Sequence, residues 1–122
     1  MKIKTSELQG SALDWAVAKA KRIELSHGCY NRLLVDGRMS AGQKMLAPYN
    51  PSTDWEQGGP IIELEGINLR ALSGALWEAE TWSAEGGQYL LDGPTPLIAA
   101  MRCYVASVLG DEVKLERNTN EN

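Results

Sequence analysis

The stretch from residue 49 to residue 60 combines the residue types that hold a small polar ligand. Prolines stiffen it, and its aromatic and short polar side chains are Tyr49, Asn50, Ser52, Thr53, Asp54 and Trp55. A flat polar ligand needs an aromatic wall and a few fixed hydrogen-bonding groups, so this stretch predicts a ligand-binding loop. In the alternative, structural interpretation, Ser52, Thr53 and Asp54 bond their own backbone and Trp55 fills the core.

A second candidate feature is Thr95, within the segment Asp92-Gly93-Pro94-Thr95-Pro96. Threonine is favoured at a helix N-cap and proline at the first helical position, so a helix is expected to begin here. A helix N-terminus offers free backbone amides to an anion, although most helix N-termini bind nothing. We expect Trp55 and Asp54 to border a concave pocket near Thr95 or a neighbouring subunit.

The sequence offers little for catalysis. His27 is the single histidine, which excludes a two-histidine zinc site, and no serine nucleophile elbow or phosphate-binding glycine loop is present. Cys29 lies two residues from His27, but nothing else marks a cysteine–histidine pair, and Cys103 stands alone. We therefore expect no catalytic residues, no metal and no cofactor.

Charge is unevenly distributed along the 122 residues, whose net charge is -4. Residues 1–48 hold eight basic and four acidic side chains, whereas residues 49–122 hold four basic and twelve acidic ones. This acidic balance argues against direct nucleic-acid binding. The two parts are expected to attract each other within the fold or across subunits.

Two helices are predicted from capping residues and apolar spacing. Ser11 with Asp14 resembles a capping box, which favours a helix over residues 12–21. The second helix covers residues 96–109, from Pro96 to the residue before Gly110, and its broad apolar face is formed by Leu97, Met101, Tyr104, Val105, Val108 and Leu109.

The middle of the chain favours short antiparallel strands. Residues 67–82 alternate in polarity around Ser73-Gly74, which predicts a hairpin, although a helical period also fits. Further strands are predicted at 23–25, 32–35, 60–64 and 88–91, with a turn at Asp36-Gly37 and an exposed loop at 40–44. The expected fold class is α+β: one domain, 1–122, with a mainly antiparallel sheet packed by two helices and a frayed tail over 116–122.

Three sequence blocks together resemble the NinX-like proteins of lambdoid phages. KTSEL at 4–8 with ALDWAVAKA at 12–20 resembles their start. Tyr49, PSTDW at 51–55 and GGPIIE at 58–63 resemble their central motif, and GPTPLIAAMRCY at 93–104 their C-terminal one. The resemblance implies a phage or prophage accessory protein acting in the host cytoplasm. It implies no catalytic residues.

Two functional hypotheses follow. In the first, the protein is a non-catalytic binding module for a small polar, nucleotide-like ligand, which sequesters a host signalling molecule. Trp55 and Tyr49, with Trp15 as a further candidate, would stack on the ring, while the polar side chains of the loop hold its edges. In the second, the acidic surface binds and inhibits or modifies a host enzyme. A homo-oligomer fits either hypothesis, and no apolar run is long enough for a membrane span.

Overall fold

The computed structural model of the chain describes residues 2–23, 34–40 and 43–114. A short 3-10 helix lies at Thr5–Glu7. The helices are α1 (Gly10–Lys21), α2 (Trp55–Glu65) and α3 (Pro96–Leu109). The strands are β1 (Lys2–Lys4), β2 (Leu34–Ser40), β3 (Gln43–Pro48), β4 (Asn68–Leu72), β5 (Leu76–Trp82), β6 (Gln88–Gly93) and β7 (Glu112–Lys114).

Every strand pairing in the described residues is antiparallel. The main sheet has the order β4-β5-β6, while β2 pairs with β3 and β1 pairs with β7. The β1–β7 pair joins the two ends of the described chain, with Ile3 opposite Val113. The predicted α+β class is confirmed, as is the hairpin over residues 67–82, because β4 and β5 occupy that stretch.

Helix α3 forms the centre of the core, with the bounds that its capping residues predict. The Thr95 hydroxyl accepts a hydrogen bond from the Ile98 N–H at 3.1 Å. The helix packs against β5, β6 and α1, and Met101 and Val105 are completely buried. Val108 is 49% exposed, so its assignment to the buried face is wrong. It lies on the last turn of α3, where solvent reaches its side chain.

The strand predicted at residues 60–64 is wrong, because this stretch belongs to a third helix, α2. The Gly58-Gly59 doublet lies inside the same helix. Asp54 caps its first turn, and Gly66 ends it in the left-handed conformation with φ of 65°. These two caps, together with the packing of the buried Ile61 in the core, favour the helix despite the poor helix propensity of its glycines and Pro60.

Helix α1 begins two residues earlier than a capping box at Ser11 requires. Its N-cap is Gln9, which makes no side-chain capping bond, and Asp14 is buried among other contacts. The capping-box interpretation is therefore wrong, because the Asp14 carboxylate bonds a distant loop instead of its own helix start.

The turn predicted at Asp36-Gly37 is wrong. These residues lie within β2, where the register with β3 shifts between Asp36 and Met39, as at a β-bulge. Ser40 and Gln43 are paired strand residues, so the strands extend into the stretch predicted as a loop. Residues 24–25 of the strand predicted at 23–25, residues 32–33 of the one predicted at 32–35, and the tail 116–122 lie outside the described residues.

Candidate functional site

The loop between β3 and α2 is anchored to α1 by a buried carboxylate. The Ser52 N–H donates to Asp14 Oδ1 at 2.8 Å, and both residues are at most 5% exposed. Burial raises the pKa of Asp14, and the hydrogen bonds from Ser52 oppose that shift. Sequence reasoning missed this role, because the two residues lie 38 positions apart and only the fold brings them together.

The Gln57 side chain of α2 holds the start of the same loop by hydrogen bonds. The Asn50 N–H donates to Gln57 Oε1 at 2.7 Å, while Gln57 Nε2 donates to the Pro48 carbonyl at 2.8 Å. One glutamine amide therefore satisfies a backbone donor and a backbone acceptor of the loop. Gln57 lies within the candidate stretch at residues 49–60. A glutamine in a sequence does not by itself indicate that its side chain will bond two backbone groups of a neighbouring loop.

Three polar side chains predicted to hold ligand are bonded within their own loop. Asp54 Oδ1 accepts from the Glu56 N–H at 3.0 Å, and so caps α2. Asn50 Nδ2 donates to Thr53 Oγ1 at 3.1 Å, and the Asn50 carbonyl accepts from the Thr53 and Asp54 N–H groups. For these residues the geometry is that of a self-bonded turn, as the structural interpretation expected.

The two aromatic residues of the loop have opposite environments. Tyr49 is buried, and burial together with the nearby Asp14 carboxylate raises the pKa of its phenol to about 12. Trp55 is 54% exposed, so it does not fill the core. An indole this open at the start of a helix presents ring surface to solvent, which suits a stacking platform.

A shallow cavity of about 230 Å³ lies beside Trp55, between the loop and the start of α3. Its lining residues are Ser52, Thr53, Trp55, Thr95, Pro96, Leu97 and Ile98. The fold thus brings four predicted site residues together, whereas Tyr49, Asn50 and Asp54 do not line this cavity. The lining contains no charged side chain, so the cavity offers an indole face, apolar walls and hydroxyl groups.

A glycine allows α2 to approach this cavity closely. A Cβ on Gly58 would lie 2.5 Å from the Pro51 carbonyl oxygen and 2.6 Å from Leu97 Cδ2. Both distances are far below van der Waals contact, so only glycine fits between the loop and α3. Gly58 therefore determines how near Trp55 lies to the first turn of α3.

Trp15 lies apart from this cavity. It lines a separate depression of about 220 Å³ together with Ala18, Lys19 and Ile23. Lys19 Nζ lies 5.1 Å from the centroid of the Trp15 ring, within cation–π range. The stacking role considered for Trp15 beside Trp55 therefore has no support in the cavity geometry.

The one cysteine among the described residues is not an activated nucleophile. Burial raises the pKa of the Cys103 thiol to about 12, which suppresses the reactive thiolate. No group of three metal-ligating side chains occurs among the described residues. His27 and Cys29 lie outside them. Within the same part of the chain, no helix has the length and apolarity needed to cross a membrane.

Comparison with known proteins identifies the family. The family model described as "Bacteriophage P22, NinX" matches residues 4–108, which include α1, the 49–55 loop, α2 and nearly all of α3. No curated protein matches the chain. The match covers most of the chain, and so this phage accessory protein belongs to the NinX family.

Proposed function

We propose that this protein is a non-catalytic binding module for a small polar, nucleotide-like ligand whose flat ring stacks on Trp55. The observation that supports the proposal is the 54% exposure of Trp55 beside a cavity at the N-terminus of α3. Pro96, Leu97 and Ile98 would flank the ring, and the hydroxyl groups of Thr53 and Thr95 would meet its polar edges.

The size of the cavity restricts the ligand. Its volume of about 230 Å³ is below the range of roughly 300–1,000 Å³ that is typical of drug-sized ligands. It therefore suits one heterocyclic ring, with any sugar or phosphate extending into solvent. In a host cell the protein would act by sequestering such a molecule, without changing it chemically.

The charge of the cavity restricts the ligand further. Because no lining side chain is charged, a phosphate group would meet only hydroxyl groups and the helix start. We expect a nucleoside and its monophosphate to bind with affinities within about threefold of each other, since ion pairing would add little.

The first experiment identifies the ligand. The purified protein is incubated with host lysate, washed and heated, and the released small molecules are identified by mass spectrometry. The molecule is then titrated by calorimetry into wild-type protein and Trp55→Ala. Stacking of a base on an aromatic ring contributes about 1–3 kcal/mol, so Trp55→Ala should weaken binding roughly 5- to 150-fold.

Trp82→Ala is the matched control. Trp82 is 52% exposed, but it lies at the end of β5 and does not line the cavity. Its truncation should leave the affinity unchanged. The proposal fails if heating releases no small molecule, or if both tryptophan variants weaken binding to the same extent.

A further inference from the structure

Among the described residues, the outer edge of β6 pairs with no other strand. Among the described strands, β6 is the last in the order β4-β5-β6 and pairs only with β5. Exposed edges in natural proteins are usually blocked by lysine, proline, a bulge or a covering element. The sequence of β6, QYLLDG, contains neither lysine nor proline, and its pairing with β5 is regular over all six residues.

The hydrogen-bond alternation identifies which backbone groups point away from β5. The Ser83 N–H donates to the Gly87 carbonyl at 2.8 Å, so Ser83 and Gly87 form a hydrogen-bonded pair of the β5–β6 hairpin. Bonded pairs recur at every second position of an antiparallel ladder, which places Tyr89 and Leu91 in bonded pairs with β5. The N–H and C=O groups of Gln88, Leu90 and Asp92 therefore point outward.

One of these outward groups already has a partner. The Asp92 carbonyl accepts from Arg102 Nη1 at 2.9 Å, and Arg102 Nε donates to the Leu8 carbonyl at 2.7 Å. The buried Arg102 thus holds the N-terminal segment against the end of β6. Among the described residues, no partner bonds the outward N–H and C=O of Leu90.

A groove runs along the unpaired part of this edge. Its volume is about 560 Å³, and it is lined by residues 87–91 on one side and by Lys4, Thr5, Ser6, Asp111 and Glu112 on the other. Residues 87–91 span about 13 Å in a strand, so the groove matches a peptide of four or five residues. Its volume lies within the range of ligand-binding sites.

We propose that this groove binds an extended, basic peptide segment of another protein, which adds to β6 as a fourth strand of the sheet. The outward N–H and C=O of Leu90 would pair with the backbone of the peptide, as in other strand-addition complexes. Asp111 and Glu112 outnumber Lys4 in the lining, which favours a basic residue in the peptide. The exposed Leu90 side chain would contact an apolar one.

The test begins with a displayed library of random dodecapeptides selected on the full-length protein. The strongest peptide is synthesised, and amide hydrogen exchange is followed by NMR with and without it. Strand addition should slow exchange of the Gln88 and Leu90 amides at least tenfold. The Tyr89 and Leu91 amides, which already bond β5, should change little.

A pair of variants separates backbone pairing from side-chain contact. Leu90→Pro removes an outward N–H but no bond to β5, a position where an edge strand tolerates proline. It should weaken peptide binding more than tenfold, whereas Leu90→Ala, which keeps the N–H, should weaken it less. If Leu90→Pro does not fold, a peptide N-methylated at alternate residues takes its place and should lose affinity to the same extent.

Three outcomes would overturn the proposal. The library yields no binding peptide, or the selected peptide protects residues around Trp55 in place of β6. Alternatively, the Gln88 and Leu90 amides of the free protein become protected as its concentration rises, in which case a second copy of the chain occupies the edge. Loss of the Trp55 ligand site would leave all these readouts unaffected, so the two proposals fail independently.

Discussion

Two adjacent glycines of α2 should respond in opposite ways to the same substitution. Gly58 and Gly59 both lie inside the helix, so replacing either by alanine improves helix propensity by about 1 kcal/mol. At Gly59 the nearest atom outside the neighbouring residues and the helix backbone is Trp55 Cε3, at an ordinary contact distance of 3.9 Å. Because Gly59 precedes Pro60, whose ring disfavours a helical residue with a Cβ before it, Gly59→Ala should stabilise the protein by no more than about 0.5 kcal/mol.

At Gly58 the new methyl group has no room. It would lie 2.5 Å from a backbone oxygen of Pro51, and this atom cannot move without shifting the loop that Asp14 and Gln57 hold. Overpacking of this kind costs about 1–3 kcal/mol, and this rigid contact belongs near the upper end of that range. After the gain in helix propensity, Gly58→Ala should destabilise the protein by about 1–2 kcal/mol.

Urea unfolding followed by circular dichroism measures both free energies against wild type. The expected pattern is a lower midpoint for Gly58→Ala and a higher midpoint for Gly59→Ala, with equal slopes. The reasoning is refuted if Gly58→Ala is as stable as Gly59→Ala, because α2 would then not lie as close to Pro51 and Leu97 as the structure places it.

Two further predictions concern buried groups. Val105→Asp should prevent folding because Val105 is fully buried. Val108→Asp, at a 49% exposed site, should fold with a nearly unchanged melting temperature. Equal melting temperatures of the two variants would contradict the core arrangement. Burial raises the folded-state pKa of Asp14 above its ordinary value of 3.8, so the stability of the wild type should fall as pH rises through that pKa. Asp14→Asn keeps an acceptor for the Ser52 N–H without ionising, so urea unfolding should show its advantage growing with pH; parallel profiles would contradict this.

Helix caps and alternating polarity, which involve residues close together in the sequence, were enough to predict α3 and the β4–β5 hairpin. Thr95, Pro96 and Gly110 gave α3 its observed bounds, because caps act through backbone groups within one turn. Alternating polarity located β4 and β5, since one face of an antiparallel sheet is buried and the other exposed. The prediction is wrong at residues 60–64, a short apolar run that lies inside the helix that Asp54 caps and Gly66 ends.

The candidate site was only partly visible in the sequence. The residue types of the loop predicted Trp55 as a site residue, and the helix-cap pattern predicted Thr95. The fold places both at one cavity. Whether Trp55 fills the core or faces solvent depends on packing, and no local pattern decides it. The polar side chains of the loop could equally bond ligand or each other and the backbone. Here Asp54 accepts from a backbone N–H, Thr53 donates to the Asn50 carbonyl, and Asn50 Nδ2 donates to the Thr53 hydroxyl.

Only the tertiary structure decided which distant residues support the site and which strand edge stays open. Asp14 bonds Ser52, and Arg102 bonds both Leu8 and Asp92, across separations of 10 to 94 residues. Such bonds depend on where whole elements pack, whereas capping and polarity patterns act over a few residues. The same reason applies to β6, because a strand becomes an edge only through the order in which the sheet assembles.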